Sequence, residues 1–231
     1  MFGAKYGRKQ WYPNIGLPSY IIKDGFFQVY YGDSHDLKCS SMAPTSNSSC
    51  TVQNTSSSGA GNPDQGVAVV RAKVADVVAA AKKGEGVEWH KLHNGSWTEK
   101  GMGGKFTPLN LPPSGYMHGD AAFVKPINKY VLAQQTGGRI QHTKAWRQSI
   151  VLSFSVDGLT WGPWQLVYNI TDASVPGKPG HKGGQVVYPS LMSHGSDNEV
   201  LGKTFAVVFQ VRQGNSSGPP FQYSYVNVTV K

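Results

Sequence analysis

Three carboxyl groups stand at positions where acid–base chemistry could be carried out. Asp120 ends the sequence His118-Gly-Asp120 and comes directly before the apolar run of residues 121–124. Asp33 and Asp36 follow another run of strand-forming residues. A carboxyl group at the end of a strand can serve as a general base, as a proton donor or as a group that orients another acid. At each position the alternative is a turn aspartate that binds its own backbone.

Five further side chains could bind a substrate. They are two imidazoles close to the candidate acids, a tryptophan and an arginine of the most basic segment, and a tyrosine at the start of a strand-like run. An aromatic ring among cations suits stacking on a sugar or a base. These five residues are His118, His35, Trp146, Arg139 and Tyr188.

Other catalytic and ligand-binding patterns fail on spacing. His90 and His93 are three residues apart on a predicted strand, so their side chains point to opposite faces and do not form a metal-binding pair. Gly202-Lys-Thr204 lacks the glycine that a phosphate loop needs five positions earlier, where Asp197 stands. The sequence has no Gly-x-Ser-x-Gly elbow of the kind that serine hydrolases use. We therefore expect neither a metal ion nor an organic cofactor.

Short β-strands separated by turns dominate the chain and must position these side chains. Residues 19–23 and 26–31 are β-rich runs joined by Asp24-Gly25, a pair typical of hairpin turns. The one convincing helix covers residues 76–83, which begin with an acid, end with two lysines and precede Gly84. Further strands are predicted at 66–73, 87–93, 121–125, 129–134, 149–155, 164–168, 188–193, 205–211 and 223–230.

The strands fall into three cycles, at approximately residues 14–97, 118–168 and 186–230. Repeated cycles that open with a turn and a hairpin are typical of the four-stranded antiparallel blades of a β-propeller. The sequence therefore predicts an all-β chain, a single propeller-like domain over residues 1–231 with about three blades and one short helix. An irregular β-sandwich is the alternative, because short strands with turn signals are also its pattern.

One turn resembles a motif of known propellers. Ser155-Val-Asp-Gly-Leu-Thr-Trp161 is similar to the Asp-box turn of sialidase-like propellers and five-bladed glycosidases. The strict Asp-box has one more residue between the aspartate and the tryptophan. In such a turn the aspartate accepts backbone amides while the tryptophan packs between strands. The expected role of this segment is therefore structural.

A wider succession of segments resembles the five-bladed propeller glycoside hydrolases, the arabinanase, xylosidase and fructosidase group and its uncharacterised relatives. That resemblance implies a protein that acts on a polysaccharide or oligosaccharide, with its site where the first strand of each cycle begins. These starts are Asn14 to Ser19, His118 to Asp120 and Tyr188 to Ser190. From the residues themselves we expect Asp120 to act with Asp33 or Asp36. The segments are Gly66–Ala72, Trp89–Trp97, Gly101–Gly104, His118–Phe123 and Tyr188–Met192.

The third cycle departs from the pattern of these hydrolases. It opens with Tyr188-Pro-Ser190, whereas the related enzymes commonly place a glutamate there as the acid. A non-catalytic, lectin-like propeller that binds glycans is therefore the alternative function, and an incomplete fragment of a larger glycosidase is a third possibility. Five blades would also need far more than 231 residues. Because an open propeller exposes strand edges and apolar faces, we expect a homo-oligomer.

Charge and hydropathy restrict the partners. The chain has 22 Lys and Arg against 13 Asp and Glu, which gives a net charge of +9. Such a balance favours a polyanion, for example an acidic polysaccharide. We do not expect a nucleic acid partner, because no nucleic-acid-binding motif accompanies the basic residues. We expect no membrane span, since no apolar run approaches the roughly 20 residues that a bilayer requires.

The two cysteines favour an exported protein. Cys39 and Cys50 bracket a loop rich in Ser, Thr and Asn, a pattern that fits a disulfide in an oxidising compartment. Two free thiols in a cytosolic protein are the alternative. Six Asn-x-Ser/Thr sequons imply glycans if the source is eukaryotic. The first ten residues lack the apolar stretch of a secretory signal, so secretion implies a leader that is absent from this chain.

Overall fold

A computed structural model describes residues 18–34, 37–39, 50–52, 65–101, 104–111, 119–139, 146–169, 185–195, 200–212 and 221–231. Within these ranges the chain has fifteen β-strands, one α-helix and one short 3-10 turn. In chain order the strands are β1 (Ser19–Lys23), β2 (Phe26–Ser34), β3 (Leu37–Cys39), β4 (Cys50–Val52), β5 (Gln65–Lys73), β6 (His90–His93), β7 (Ser96–Lys100), β8 (Gly119–Val124), β9 (Lys129–Arg139), β10 (Trp146–Ser155), β11 (Gln165–Asn169), β12 (Gln185–Ser193), β13 (Val200–Leu201), β14 (Thr204–Arg212) and β15 (Gln222–Thr229).

The helix α1 spans Val74–Lys83 and begins two residues before its predicted start. Asp76 in its first turn and the lysines in its last turn stabilise the helix, because their charges interact favourably with the helix dipole. Gly84 ends the helix with a φ of 70°, a left-handed conformation that glycine adopts without a Cβ clash. None of the helical side chains is buried, so α1 lies on the surface. No described helix is long and apolar enough to cross a membrane.

The strands form three main sheets and one two-stranded ribbon. The first sheet has the order β1-β2-β5-β6-β7, the second β11-β10-β9-β8-β13 and the third β12-β14-β15, while β3 pairs with β4. Neighbouring strands are antiparallel throughout the described ranges, except that β13 runs parallel to β8. In the part of the chain that the structure describes, the all-β class with one α-helix is therefore confirmed.

The strand cycles agree with the predicted blades only in part. β8 to β11 form the predicted four-stranded antiparallel meander. The first sheet has five strands, one more than a blade. The third sheet has only three strands, because β13 of the third cycle pairs with β8 of the second sheet. A strand of two residues is too short to show an alternating pattern, so sequence reasoning did not find it. The described strands do not close into a barrel or a ring.

Two apolar cores hold the three sheets together. The core between the second and third sheets contains Val131, Ile150 and Phe205, each with no exposed surface. The core between the first and second sheets contains Tyr30 and Trp161, whose rings meet edge to face at 5.8 Å. Burial of such side chains contributes about 1.5–3 kcal/mol each. The second sheet is thus packed on both faces, with one neighbouring sheet on each side.

Candidate functional site

The first strands of the three sheets meet at the carboxylate of Asp120. Its Oδ1 accepts hydrogen bonds from the Ser19 hydroxyl at 2.9 Å and from the Ala121 amide at 3.0 Å. Its Oδ2 accepts the Leu191 amide at 2.8 Å. Ser19 belongs to β1, Asp120 to β8 and Leu191 to β12. One side chain therefore links all three sheets, and we call this contact the Asp120 junction.

The bonds at the junction restrict what Asp120 can do chemically. The buried Ser19 hydroxyl also accepts the Ala121 amide, at 2.8 Å, so Ser19 and Asp120 share that N–H group. The Asp120 carboxylate is the acceptor in each of its three bonds. A carboxyl group held in this way is arranged to act as a base or to orient a ligand, whereas a proton donor would need a free O–H.

Tyr188 has a strained backbone close to this junction. Its φ is 57°, a left-handed conformation that is rare for a large side chain, and the following Pro189 restricts the backbone further. The register between β12 and β14 shifts between Val187 and Ser190, so Tyr188 lies in a bulge three residues before Leu191. Its side chain is 46% exposed. Strain of about 1–3 kcal/mol is concentrated at ligand sites in known proteins, which makes Tyr188 a candidate contact.

An apolar groove adjoins the junction. It has a volume of about 270 Å³, close to the lower limit of about 300 Å³ for small-molecule pockets. Tyr20 and Ala121, the neighbours of Ser19 and Asp120 in sequence, are among its walls, whereas Ser19 and Asp120 themselves do not line it. Apolar and aromatic walls are the usual lining of such sites. The groove is lined by Tyr20, Ile21, Ile22, Ala121, Ala122, Phe123, Tyr130 and Val200.

Backbone register places Asp33 at the same end of the first sheet as Ser19. Ser19 pairs with Tyr30, and β2 continues past that pair to Asp33. Asp33 is therefore three residues, or about 10 Å, beyond the level of Ser19 along the strand. The other predicted acid, Asp36, and the predicted binding residues His35 and His118 lie outside the described residues.

The remaining predicted binding residues are brought together at a distance from the junction. Arg139 and Trp146 are directly paired in β9 and β10. Gly119 at the start of β8 pairs with Gln134, and β9 continues five residues further to Arg139. The Arg139–Trp146 pair thus extends the second sheet at the end where Asp120 lies, about 20 Å beyond the level of Asp120 along the strand.

The Asp-box-like turn has the structural role that its sequence predicts. The Oδ1 of Asp157 accepts the Leu159 amide at 2.8 Å, the Thr160 amide at 2.6 Å and the Ser155 hydroxyl at 2.8 Å. Burial acts to raise the pKa of Asp157, but these bonds outweigh burial and lower the pKa below its ordinary value. Trp161 is buried against the first sheet. Asp157 is therefore occupied inside its own turn.

Two cations of the first sheet have structural contacts. The Arg71 guanidinium lies 4.5 Å from the ring centre of Phe26 and 4.4 Å from that of Trp97, and burial lowers the pKa of Arg71. The Lys91 ammonium is buried and donates to the Gly104 carbonyl at 2.9 Å. These contacts hold both cations against the sheet.

Sequence reasoning did not predict two of the contacts of Asp120 at the junction. Ser19 is an ordinary strand serine by pattern, and its partner Asp120 is 101 residues away. The Leu191 contact is made by a backbone amide, which has no side-chain signal at all. Only the first-strand positions implied by the family resemblance pointed to this part of the chain.

Comparison with known proteins gives little further information. No family model and no curated protein sequence matches the chain. Among solved structures, the catalytic domain of Coprinopsis cinerea GH62 alpha-L-arabinofuranosidase is similar over 92% of this chain and 53% of that chain, with a TM-score of 0.39 and 8% identity. The chain therefore spans about half of that domain. At this level the likeness assigns neither an activity nor a catalytic residue. The described residues contain no group of three His, Cys, Asp or Glu side chains that could hold a metal ion.

Proposed function

We propose that this chain is a carbohydrate-active protein of glycoside-hydrolase type, with its site at the Asp120 junction and the adjoining groove. The observation that carries the proposal is the position of the Asp120 carboxylate, which lies where three sheets meet and accepts in all its bonds. Sugars offer hydroxyl groups to a carboxylate and apolar ring faces to aromatic side chains. Tyr188 and Tyr20, both partly exposed, supply such aromatic surface.

In this proposal the chemistry needs a second carboxyl group. Glycosidic hydrolysis commonly uses two, about 5 Å apart for retention and about 6.5–9.5 Å apart for inversion. Asp120 takes the role of the base or of the group that orients the other acid. Asp33 or Asp36 donates the proton to the leaving oxygen. The register of β2, which carries Asp33 to the end of the first sheet where Ser19 lies, supports this pairing.

A second candidate function is glycan binding without turnover. The observation that favours it is the segment Tyr188-Pro-Ser190 of β12, which contains no acid where the resembled families commonly have a glutamate. A lectin needs the groove, the exposed rings and a hydrogen-bonding carboxylate, and it needs no proton donor. The two functions share one site and differ only in turnover.

The test measures hydrolysis and binding on the same polymers. Arabinan, xylan, fructan and an acidic polysaccharide are incubated with wild type, Asp120→Asn and Asp157→Asn, and released reducing ends are counted. We expect Asp120→Asn to lower kcat/KM by about 10²-fold or more, the contribution of a positioned general base. Asp157→Asn makes the same chemical change in a structural turn, so it should retain activity where it is folded.

Affinity electrophoresis on those polymers separates the outcomes. Binding by wild type that Asp120→Asn weakens, without any release of reducing ends, would establish the lectin and remove the hydrolase. If Asp120→Asn matches wild type in both assays, the site lies elsewhere.

We also propose that the protein is exported and that Cys39 and Cys50 form a disulfide. Support comes from the register of β3 and β4, in which these residues are direct partners. Antiparallel partners have Cα atoms about 4.5–5.5 Å apart, within the range of about 4.4–6.8 Å that disulfides span. Mass spectrometry of an unreduced digest should find the two peptides linked. Recovery of both as free thiols from protein purified under oxidising conditions would contradict the disulfide.

A further inference from the structure

We propose that Asn227 carries an N-linked glycan and that the first sugar of this glycan stacks on the ring of Tyr225. The inference rests on the proposed export, because N-glycans are attached in the secretory pathway. In the reaction the Asn227 amide nitrogen forms a bond to the anomeric carbon of an oligosaccharide that is carried on a lipid diphosphate. The bond between that carbon and the phosphate oxygen breaks, the amide nitrogen loses a proton, and the lipid diphosphate leaves.

Acceptor sequences are frequent in this chain. Six of its 11 asparagines begin an Asn-x-Ser/Thr sequon. Ser and Thr are 33 of the 231 residues, about one in seven, so chance alone would give about one or two sequons. Three of the six, at Asn94, Asn169 and Asn227, lie outside the Ser-rich stretches, so those stretches do not account for the whole excess. The sequence therefore favours a glycoprotein.

The sequon at Asn227 lies on the outward face of β15. Residues two apart on a strand point to the same side, so Tyr225, Asn227 and Thr229 share one face, and all three are exposed. Val226 and Val228, which alternate with them, pack against the core between the second and third sheets. A glycan on Asn227 therefore extends into solvent and displaces no core side chain.

Tyr225 is placed to contact the first sugar. It lies two residues before Asn227, about 7 Å along the strand, and its side chain is 66% exposed. A pyranose on the Asn227 amide nitrogen can lie along the strand over this ring. Its C–H groups then meet the aromatic face, and apolar surface of both partners leaves water. Tyr223 is exposed on the same face but lies about 13 Å from Asn227 along the strand, so it is too distant for the same contact.

The sequon at Asn94 lacks such a ring. Asn94 is exposed in the turn between β6 and β7, where its φ is 49°. The residue two positions before it is Leu92, whose side chain is buried in the core between the first and second sheets. A glycan on Asn94 has no aromatic side chain at the matching position. Asn94 is therefore the control for Asn227 within the same chain.

Mass spectrometry tests the attachment. The full chain is given a secretory leader and expressed in eukaryotic cells. A peptide N-glycosidase in water labelled with heavy oxygen then converts each occupied asparagine to a labelled aspartate. We expect the label at Asn227. The leader brings the chain to the glycosylation machinery in every case, so an unlabelled Asn227 would overturn the inference, whereas export of the natural protein is tested separately by the Cys39–Cys50 linkage.

Thermal unfolding tests the stacking. Tyr225→Ala should lower the Tm of the glycoprotein by about 2–4 °C more than it lowers the Tm of the Asn227→Gln variant, the shift expected for one aromatic contact in a chain of this size. In the Asn94→Gln variant, which keeps the glycan on Asn227, Tyr225→Ala should have its full effect. All three substituted side chains are exposed, so the variants should fold.

Two further variants separate the ring from the position. Tyr225→Trp keeps an aromatic ring and should retain the Tm of the glycoprotein. Tyr223→Ala makes the same change at the more distant exposed ring and should lower the Tm equally with and without the glycan on Asn227. Equal effects of Tyr225→Ala in the Asn227→Gln and Asn94→Gln variants would overturn the stacking.

Discussion

Asp120 and Asp157 show how one residue type takes two different parts in this molecule. The bonds of Asp157 stay within the three residues that follow it and the serine two residues before it. An Asp-Gly turn with glycine at a φ of 72° can be predicted from neighbouring residues alone. Two of the three bonds of Asp120 join residues 101 and 71 positions apart. The sequence pointed to Asp120 as a candidate, but it could not show which groups the carboxylate meets.

At the residue scale, Asp157→Asn should lower the free energy of unfolding by about 1–2 kcal/mol at neutral pH, because charge-assisted bonds become neutral ones. The pKa of Asp157 is lowered in the folded state, so its contribution is present above the unfolded pKa of about 4 and is lost as pH falls through the folded value. Denaturant unfolding at several pH values should therefore show the two proteins converging in acid. A difference that stays constant with pH would contradict the role of the charge.

Ser19 and Asp120 should be energetically coupled. Ser19→Ala alone should cost about 0.5–1.5 kcal/mol, because the Ala121 amide keeps its bond to Asp120. In a double-mutant cycle of denaturant unfolding, Ser19→Ala and Asp120→Asn should show an interaction free energy of about 0.5–3 kcal/mol. Additive single costs would mean that the two side chains do not act as a unit.

At the element scale, long runs with clear alternation were predictable and contacts between distant elements were not. The hairpin of β1 and β2 follows from Asp24-Gly25, and α1 follows from its charges and Gly84. The pairing of β13 with β8 and the bulge at Tyr188 depend on tertiary packing, which overrides local pattern. The number of strands in each sheet was not predictable for the same reason, because it depends on contacts between residues that are far apart in the sequence.

A substitution at Gly158 tests the contact between the first sheet and the Asp157-Gly158 turn of the second sheet. A Cβ there would lie 2.6 Å from Ile21 Cδ1 and 2.8 Å from the Tyr30 hydroxyl oxygen. Gly25 has a similar φ, 77°, with nothing within 4 Å, so Gly25→Ala measures the backbone strain alone. We expect Gly25→Ala to lower the free energy of unfolding by about 1–2 kcal/mol. Gly158→Ala should lower it by a further amount of about 1–3 kcal/mol, because the added Cβ also meets these atoms. Equal losses of stability in thermal or denaturant unfolding would mean that the two elements are not in close contact.

At the scale of the whole molecule, the three sheets should unfold as one unit. The Asp120 junction and the two cores connect them, and the buried Tyr30 hydroxyl donates to the Gly158 carbonyl at 2.8 Å across 128 residues. Tyr30→Phe should lower stability by about 1–3 kcal/mol while the transition remains single, because it leaves that carbonyl without its partner. Calorimetry checks this, and two separate transitions would show that the sheets are independent.

Backbone amide chemical shifts test most directly whether a carbohydrate binds at the Asp120 junction. Oligosaccharides prepared from arabinan, xylan, fructan and the acidic polysaccharide are titrated into labelled protein. If the carbohydrate binds there, the Ala121 and Leu191 amides, which donate to Asp120, should shift most, together with that of Tyr188 in the bulge. Shifts concentrated at Tyr223 and Tyr225 or in the Asp157 turn, with Ala121 and Leu191 unmoved, would contradict it.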